Sequence, residues 1–173
     1  MLSKAGNFVV FQVGWFTCVL GAAHHHPWLG PVVVFFLLGL HLWQMPNSLN
    51  ALCTILWVGL LGCIVDSALG YAGVLVFRDS LIASWLCPPW LIAVWMIFAT
   101  TLRSSLSWLV GRYSIAAVLG GIFGPLSYYA GQEFGSLSLG LNVGVAVTIL
   151  SVLWAILMPL LVWWAAMQTG KWP

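Results

Sequence analysis

The stretch LLGCIVDSALG sets one carboxylate, Asp66, inside an apolar run. An ionisable group at membrane depth is costly and marks proton relays, ion pathways or internal pairs, so Asp66 is the first candidate for chemistry, as a catalytic group or a proton or cation site. The structural alternative is a carboxylate near a helix end that reaches water or caps a neighbour. A second stretch, GAAHHHPWLGP, places His24, His25 and His26 before a proline. Imidazole with carboxylate is the ligand set of zinc, copper or iron and the pairing of general acid–base chemistry. Glu133 falls at the same depth. Consecutive helical positions point about 100° apart, so three adjacent histidines do not converge on one ion, and only in an extended turn do His24 and His26 share a side. His24, His26 and Glu133 are therefore the metal candidates, against the simpler reading of a solvated interfacial turn.

A further polar set gathers at the opposite depth: Asn7, Gln12, His41, Gln44, Thr100, Thr101, Arg103, Ser104 and Ser105. Arg103 stands about 22 Å of helix beyond Pro88. Its guanidinium either snorkels outward or clamps a phosphate or carboxylate through two parallel hydrogen bonds. With Ser104 and Thr100 on its face, Arg103, His41, Gln12, Thr100 and Ser104 form a candidate inner-leaflet pocket for an acyl chain or headgroup. The hydroxyls have the alternative of bonding carbonyls of their own helix. No nucleophile motif, phosphate loop or HExxH appears, no cofactor is expected, and whether the chain is an enzyme stays open. Cys18, Cys53, Cys63 and Cys87 lack a CxxC spacing and read as small core residues.

The elements that hold these side chains are built for lipid. Of 173 residues, 62% are hydrophobic and 5% charged, with a mean hydropathy of +1.07, which excludes an ordinary soluble fold. Besides Asp66 the charges are Lys4, Arg78, Asp79, Arg103, Arg112, Glu133 and Lys171, leaving 5–65 and 134–170 without one. Hydrocarbon accepts such stretches as helices that pair their own backbone. A net charge of +2 spread this thinly forms no basic patch, so nucleic-acid binding is excluded.

Runs of the ~17–25 residues that cross hydrocarbon fall at 7–23, 29–45, 49–69, 89–107, 114–130 and 141–167. The expectation is an all-α, polytopic transmembrane bundle of six spans, one domain over 1–173. Pro27, Gly30 and Pro31, then MPNS, then CPPW separate the runs; Gly131 is expected to close the fifth and Pro159 to kink the sixth. The segment 70–86, interrupted by Arg78 and Asp79, reads as an interfacial helix or a short re-entrant turn. Lys4 ahead of an apolar run suggests a signal peptide, but Gln12 and the length favour an uncleaved first span.

Placing both termini in the cytoplasm puts Lys4, Arg103, Arg112 and Lys171 at inner ends, as the positive-inside rule requires. Trp28, Trp85, Trp90, Tyr71, Tyr128 and Tyr129 then mark the outer boundary, and Trp43, Trp108, Tyr113, Trp163, Trp164 and Trp172 the inner one. Trp15, Trp57, Trp95 and Trp154 lie deeper and are expected to pack. Ala116, Gly120 and Gly124, at every fourth position, permit a close approach either inside the bundle or to a partner helix or second copy.

NFVVFQVGWFTCVLGAA, LGCIVDSALG and FATTLRSSLSWLVGR together resemble the small bacterial inner-membrane proteins known as domain of unknown function 2878, over nearly the whole chain. The resemblance implies a multi-pass inner-membrane protein with no assigned activity, encoded beside fatty-acid-modifying methyltransferases and flavin-dependent oxidoreductases. It also implies an amide where this chain has Arg103, and a less basic pair in place of His25 and His26. The expectation is an accessory or enzyme of membrane-lipid (fatty-acyl) modification or oxidative-stress defence, with membrane lipids as partners. The alternatives are a small proton- or cation-coupled transporter using Asp66 and a non-catalytic scaffold using the glycine face of the fifth helix.

Overall fold

The computed structural model describes residues 3–45, 47–78 and 83–168. They form α1 (Lys4–Ala23), α2 (Leu29–Trp43), α3 (Ser48–Tyr71), β1 (Leu75–Phe77), α4 (Pro89–Leu102), a 3-10 turn at Ser107–Leu109, α5 (Tyr113–Phe134), β2 (Leu137–Leu139) and α6 (Val143–Gln168). The chain is all-α, and α1, α3, α5 and α6 are each long and apolar enough to cross a membrane. At 15 and 14 residues, α2 and α4 are apolar but shorter. Asp79, Lys171 and Trp172, which enter the orientation argument, lie outside the described residues, as does 79–82 of the 70–86 segment.

Helix ends follow local chemistry. Ser3 Oγ accepts the Gly6 N–H at 3.0 Å and caps α1. Pro89 opens α4, where its missing N–H costs nothing. The fifth helix runs past Gly131, the expected stop, and closes at Gly135. Gly135 takes φ 87°, its N–H bonds Gln132 O, and the Ser136 N–H bonds Gly131 O, a Schellman closure that needs the left-handed residue one turn later than Gly131. The fourth helix, expected to reach 107, stops at Leu102. Thr100 and Thr101 hydroxyls donate to Ile97 O at 2.8 Å and Phe98 O at 2.7 Å, and Ser107 donates to Ser104 O at 2.8 Å. Hydroxyls that compete for backbone carbonyls in this way weaken a helix, and the chain passes into turns.

Residues 70–86 hold no interfacial helix among those described. Leu75–Phe77 is extended and pairs antiparallel with Leu137–Leu139, Leu75 opposite Leu139 and Phe77 opposite Leu137. Leu75, Phe77 and Leu137 point into the core while Val76 points out, the alternation of a half-buried strand. A side chain on Gly140 would overlap the Gly73 carbonyl, so the two connections touch backbone to backbone.

Small residues set the helix spacings. Gly30 lies directly on Cys18 and joins α1 to α2. Ala116, Gly120 and Gly124 face α6, where a Cβ on Gly120 would meet Met158 and the Trp154 carbonyl. The approach that the sequence offers to a partner helix is taken by α6 of the same chain. The outside carries exposed Phe35, Phe36, Leu56, Leu60, Phe123, Ile156 and Leu160, a surface suited to hydrocarbon.

Candidate functional site

Asp66 and Gly62 stand one turn apart on one face of α3. Gly62 leaves space that a Cβ would deny to the Trp95 ring of α4. Seated there, Trp95 donates its Nε1–H to Asp66 Oδ2 at 2.6 Å, and the Tyr128 hydroxyl of α5 donates to Oδ1 at 2.6 Å. Both donors are neutral groups, one on each carboxyl oxygen. Trp95 stacks on Trp154 of α6 with ring centroids 5.0 Å apart and planes 10° apart, and Phe98 meets both rings edge-on. Gly124 does for Trp154 what Gly62 does for Trp95. Trp154 Nε1 has no hydrogen-bond partner among the described residues. Asp66 is 0% exposed, so it neither reaches water nor presents itself to a substrate in this state. The arrangement can hold a proton and ties three helices together.

The polar set at the other end divides in two. Asn7, 1% exposed, donates Nδ2–H to Thr100 Oγ1 at 3.1 Å, and its Oδ1 accepts from Ser105 Oγ at 2.9 Å and Ser105 N–H at 3.4 Å. This fastens the start of α1 to the end of α4. Thr100, Thr101 and Ser104 are buried as well. Arg103 caps α4 on the other side, half-buried, with Nη1 donating to Thr54 Oγ1 at 3.4 Å. Buried His41 lies within electrostatic range of it. A guanidinium carries five donors, and among the described residues the long contact to Thr54 is the one hydrogen bond of this side chain. Of the expected pocket, then, His41 lies within electrostatic range of Arg103 and Thr54 meets the guanidinium, while Thr100 bonds Asn7 and Ser104 is buried. Gln12 is half-buried, turned about 140° from Asn7 around α1, and Gln44 is exposed.

The histidines form an exposed turn. His24 Nδ1 pairs with Leu20 O at 2.8 Å, and His25 takes φ 62°. Among the described residues no three His, Cys, Asp or Glu side chains gather as a metal set. His24 and His26 line one cavity, which Glu133 does not line; Glu133 instead interacts electrostatically with Tyr129.

Two residues of the Asp66 cluster escape the sequence reading. Tyr128 looks like a boundary aromatic but is 5% exposed. The available sign is that it continues the series Ala116, Gly120, Gly124, and so shares the inward face of α5. Trp95 is expected to pack, with no hint of its donor role. Trp57, also expected to pack, is instead exposed.

A family model described as Protein of unknown function (DUF2878) matches residues 4–160. No curated protein and no solved structure matches the chain.

Proposed function

The chain belongs to the DUF2878 family, and from that membership and the geometry above we propose a multi-pass protein of the bacterial inner membrane. In this reading it binds anionic lipid headgroups at Arg103 and serves membrane-lipid modification by holding and presenting the lipid. The observation that carries the reading is the half-buried guanidinium at the end of α4, with most of its donors unengaged among the described residues. Guanidinium matches the two oxygens of a phosphodiester with parallel N–H···O bonds. The neighbouring His41 offers a further ring nitrogen, and Thr54 fixes the guanidinium plane. Acyl chains lie along the exposed apolar exterior, such as Leu52 and Leu56 of α3.

The test compares full-length protein and Arg103→Gln purified from the same cells, with retained lipid read by native mass spectrometry. Loss of a charged hydrogen bond worth ~1.5–3 kcal/mol lowers retention of phosphatidylglycerol about tenfold or more. Excess inorganic phosphate leaves wild-type retention unchanged if the headgroup is bound as part of a lipid. Equal retention by both proteins overturns the binding role. Identical acyl and headgroup profiles in cells with and without the gene overturn the link to lipid modification.

A further inference from the structure

Cys63 and Cys87 are separated by the whole connection from α3 to α4, yet the fold brings Cys87 to within one helical turn of Cys63. Cys87 is the second residue before α4, and its backbone N–H donates to Ser67 Oγ at 3.0 Å. Ser67 stands one helical turn after Cys63, and residues at that spacing are neighbours on one face, with Cβ atoms about 5–6 Å apart. Helix side chains also lean toward the helix N-terminus, so the Ser67 hydroxyl, with the Cys87 N–H bonded to it, leans toward Cys63. The two thiols are close enough to interact electrostatically, and Cys87 Sγ donates to Pro88 O at 3.8 Å. Cys87 is buried and Cys63 is partly exposed. The other two cysteines are elsewhere: Cys53 is about 15 Å back along α3, and Cys18 lies under Gly30 at the α1–α2 contact.

We propose that Cys63 and Cys87 are a dithiol site that closes reversibly into a disulfide, linking α3 to the segment that opens α4. The reaction partner is a disulfide of a protein or small molecule. The more exposed Cys63 sulfur attacks it, forms a mixed disulfide and releases one thiol of the partner, which takes the Cys63 proton. Cys87 then attacks the Cys63 sulfur, the mixed disulfide breaks, and the second partner thiol leaves with the Cys87 proton. Two thiols of this chain are oxidised and one disulfide is reduced to two thiols. The geometry favours this pair because the Ser67 hydrogen bond holds Cys87 one helical turn from Cys63. Closure fixes the start of α4, the helix whose Trp95 donates to Asp66. The proposal is independent of lipid binding at Arg103.

The experiment treats the full chain in membranes with dithiodipyridine, a small apolar disulfide, then quenches with acid, unfolds in detergent and labels remaining thiols with a maleimide that shifts gel mobility. Of the four cysteines, exposed Cys53 takes a thiopyridyl cap and Cys63 and Cys87 close on each other, so the wild-type protein is expected to label at one after treatment and at all four after reduction. After treatment Cys63→Ser labels at two of its three cysteines, buried Cys18 and Cys87, while Cys87→Ser labels at Cys18 alone because Cys63 has no second thiol to displace its thiopyridyl cap; both label at three after reduction. Cys53→Ser, which alters an exposed position, guards against misfolding of the other variants and labels at one cysteine after treatment and three after reduction. Peptide mapping shows a Cys63–Cys87 link within one chain. Labelling of Cys63 and Cys87 in the treated wild-type protein, protection of Cys87 that survives Cys63→Ser, a link through Cys18 or Cys53, a link between chains, or a mixed disulfide that stays on Cys63 in the wild-type protein would each overturn the proposal.

Discussion

Removing the Tyr128 hydroxyl while keeping its ring isolates one of the two bonds to Asp66. Tyr128→Phe preserves the aromatic contact with Trp154, whose ring centroid is 6.5 Å away. It deletes only the O–H that donates to Asp66 Oδ1 at 2.6 Å. Hydrogen bonds between helices in lipid average ~0.6 kcal/mol and reach about 1.7, whereas bonds to a charged group give ~1.5–3. The short distance and complete burial place this bond where the two ranges meet, at about 1.5 kcal/mol, which is a tenfold change in the unfolding equilibrium. With Asp66→Leu in the background the hydroxyl has lost its acceptor, and deleting it then costs nothing or stabilises. The assay is reversible unfolding in mixed detergent micelles, followed by far-ultraviolet circular dichroism, on wild type, both single variants and the double variant. A coupling of about 1.5 kcal/mol is expected. A coupling under ~0.5 kcal/mol, the level of independent sites, refutes the reasoning that this bond joins α3 to α5.

Gly124→Val puts a side chain where the Trp154 ring lies; it is expected to separate the stacked indoles, abolish their near-ultraviolet dichroism and cost about 3 kcal/mol. Gly39→Ala, with nothing within 4 Å, keeps the dichroism and is neutral or stabilising by up to ~1 kcal/mol. Asn7→Ala leaves the Thr100 and Ser105 hydroxyls without their shared partner and is expected to lower stability by about 1–3 kcal/mol in the same micelle titration.

The helices were legible because lipid leaves few ways to arrange charge. Uncharged runs, with prolines and glycines between them, place all six helices to within a few residues except at the ends of the fourth and fifth. Those two ends depend on contacts that composition does not display. The TTLRSS stretch could continue a helix or turn its hydroxyls onto its own carbonyls, and only the folded chain shows the second outcome. Gly131 and Gly135 are equally good stops on paper; the closing bonds of Ser136 and Gly135 select the later one. Asp66 announces itself as a lone carboxylate, but its donors come from two other helices, and pairing across helices leaves no local trace. The same holds for β1 and β2, three residues each, and for Cys63 beside Cys87, whose separation hides them from any spacing rule. Arg103 and His41 were legible as a pair because both sit at matching depth on apolar helices, where a polar group is conspicuous.

The antiparallel pairing of β1 with β2 gives the bundle a mechanical asymmetry. It cross-links the α3–α4 and α5–α6 connections at one rim through paired backbone, whereas the far rim is fastened by the Asn7 side chain, which ties α1 to α4.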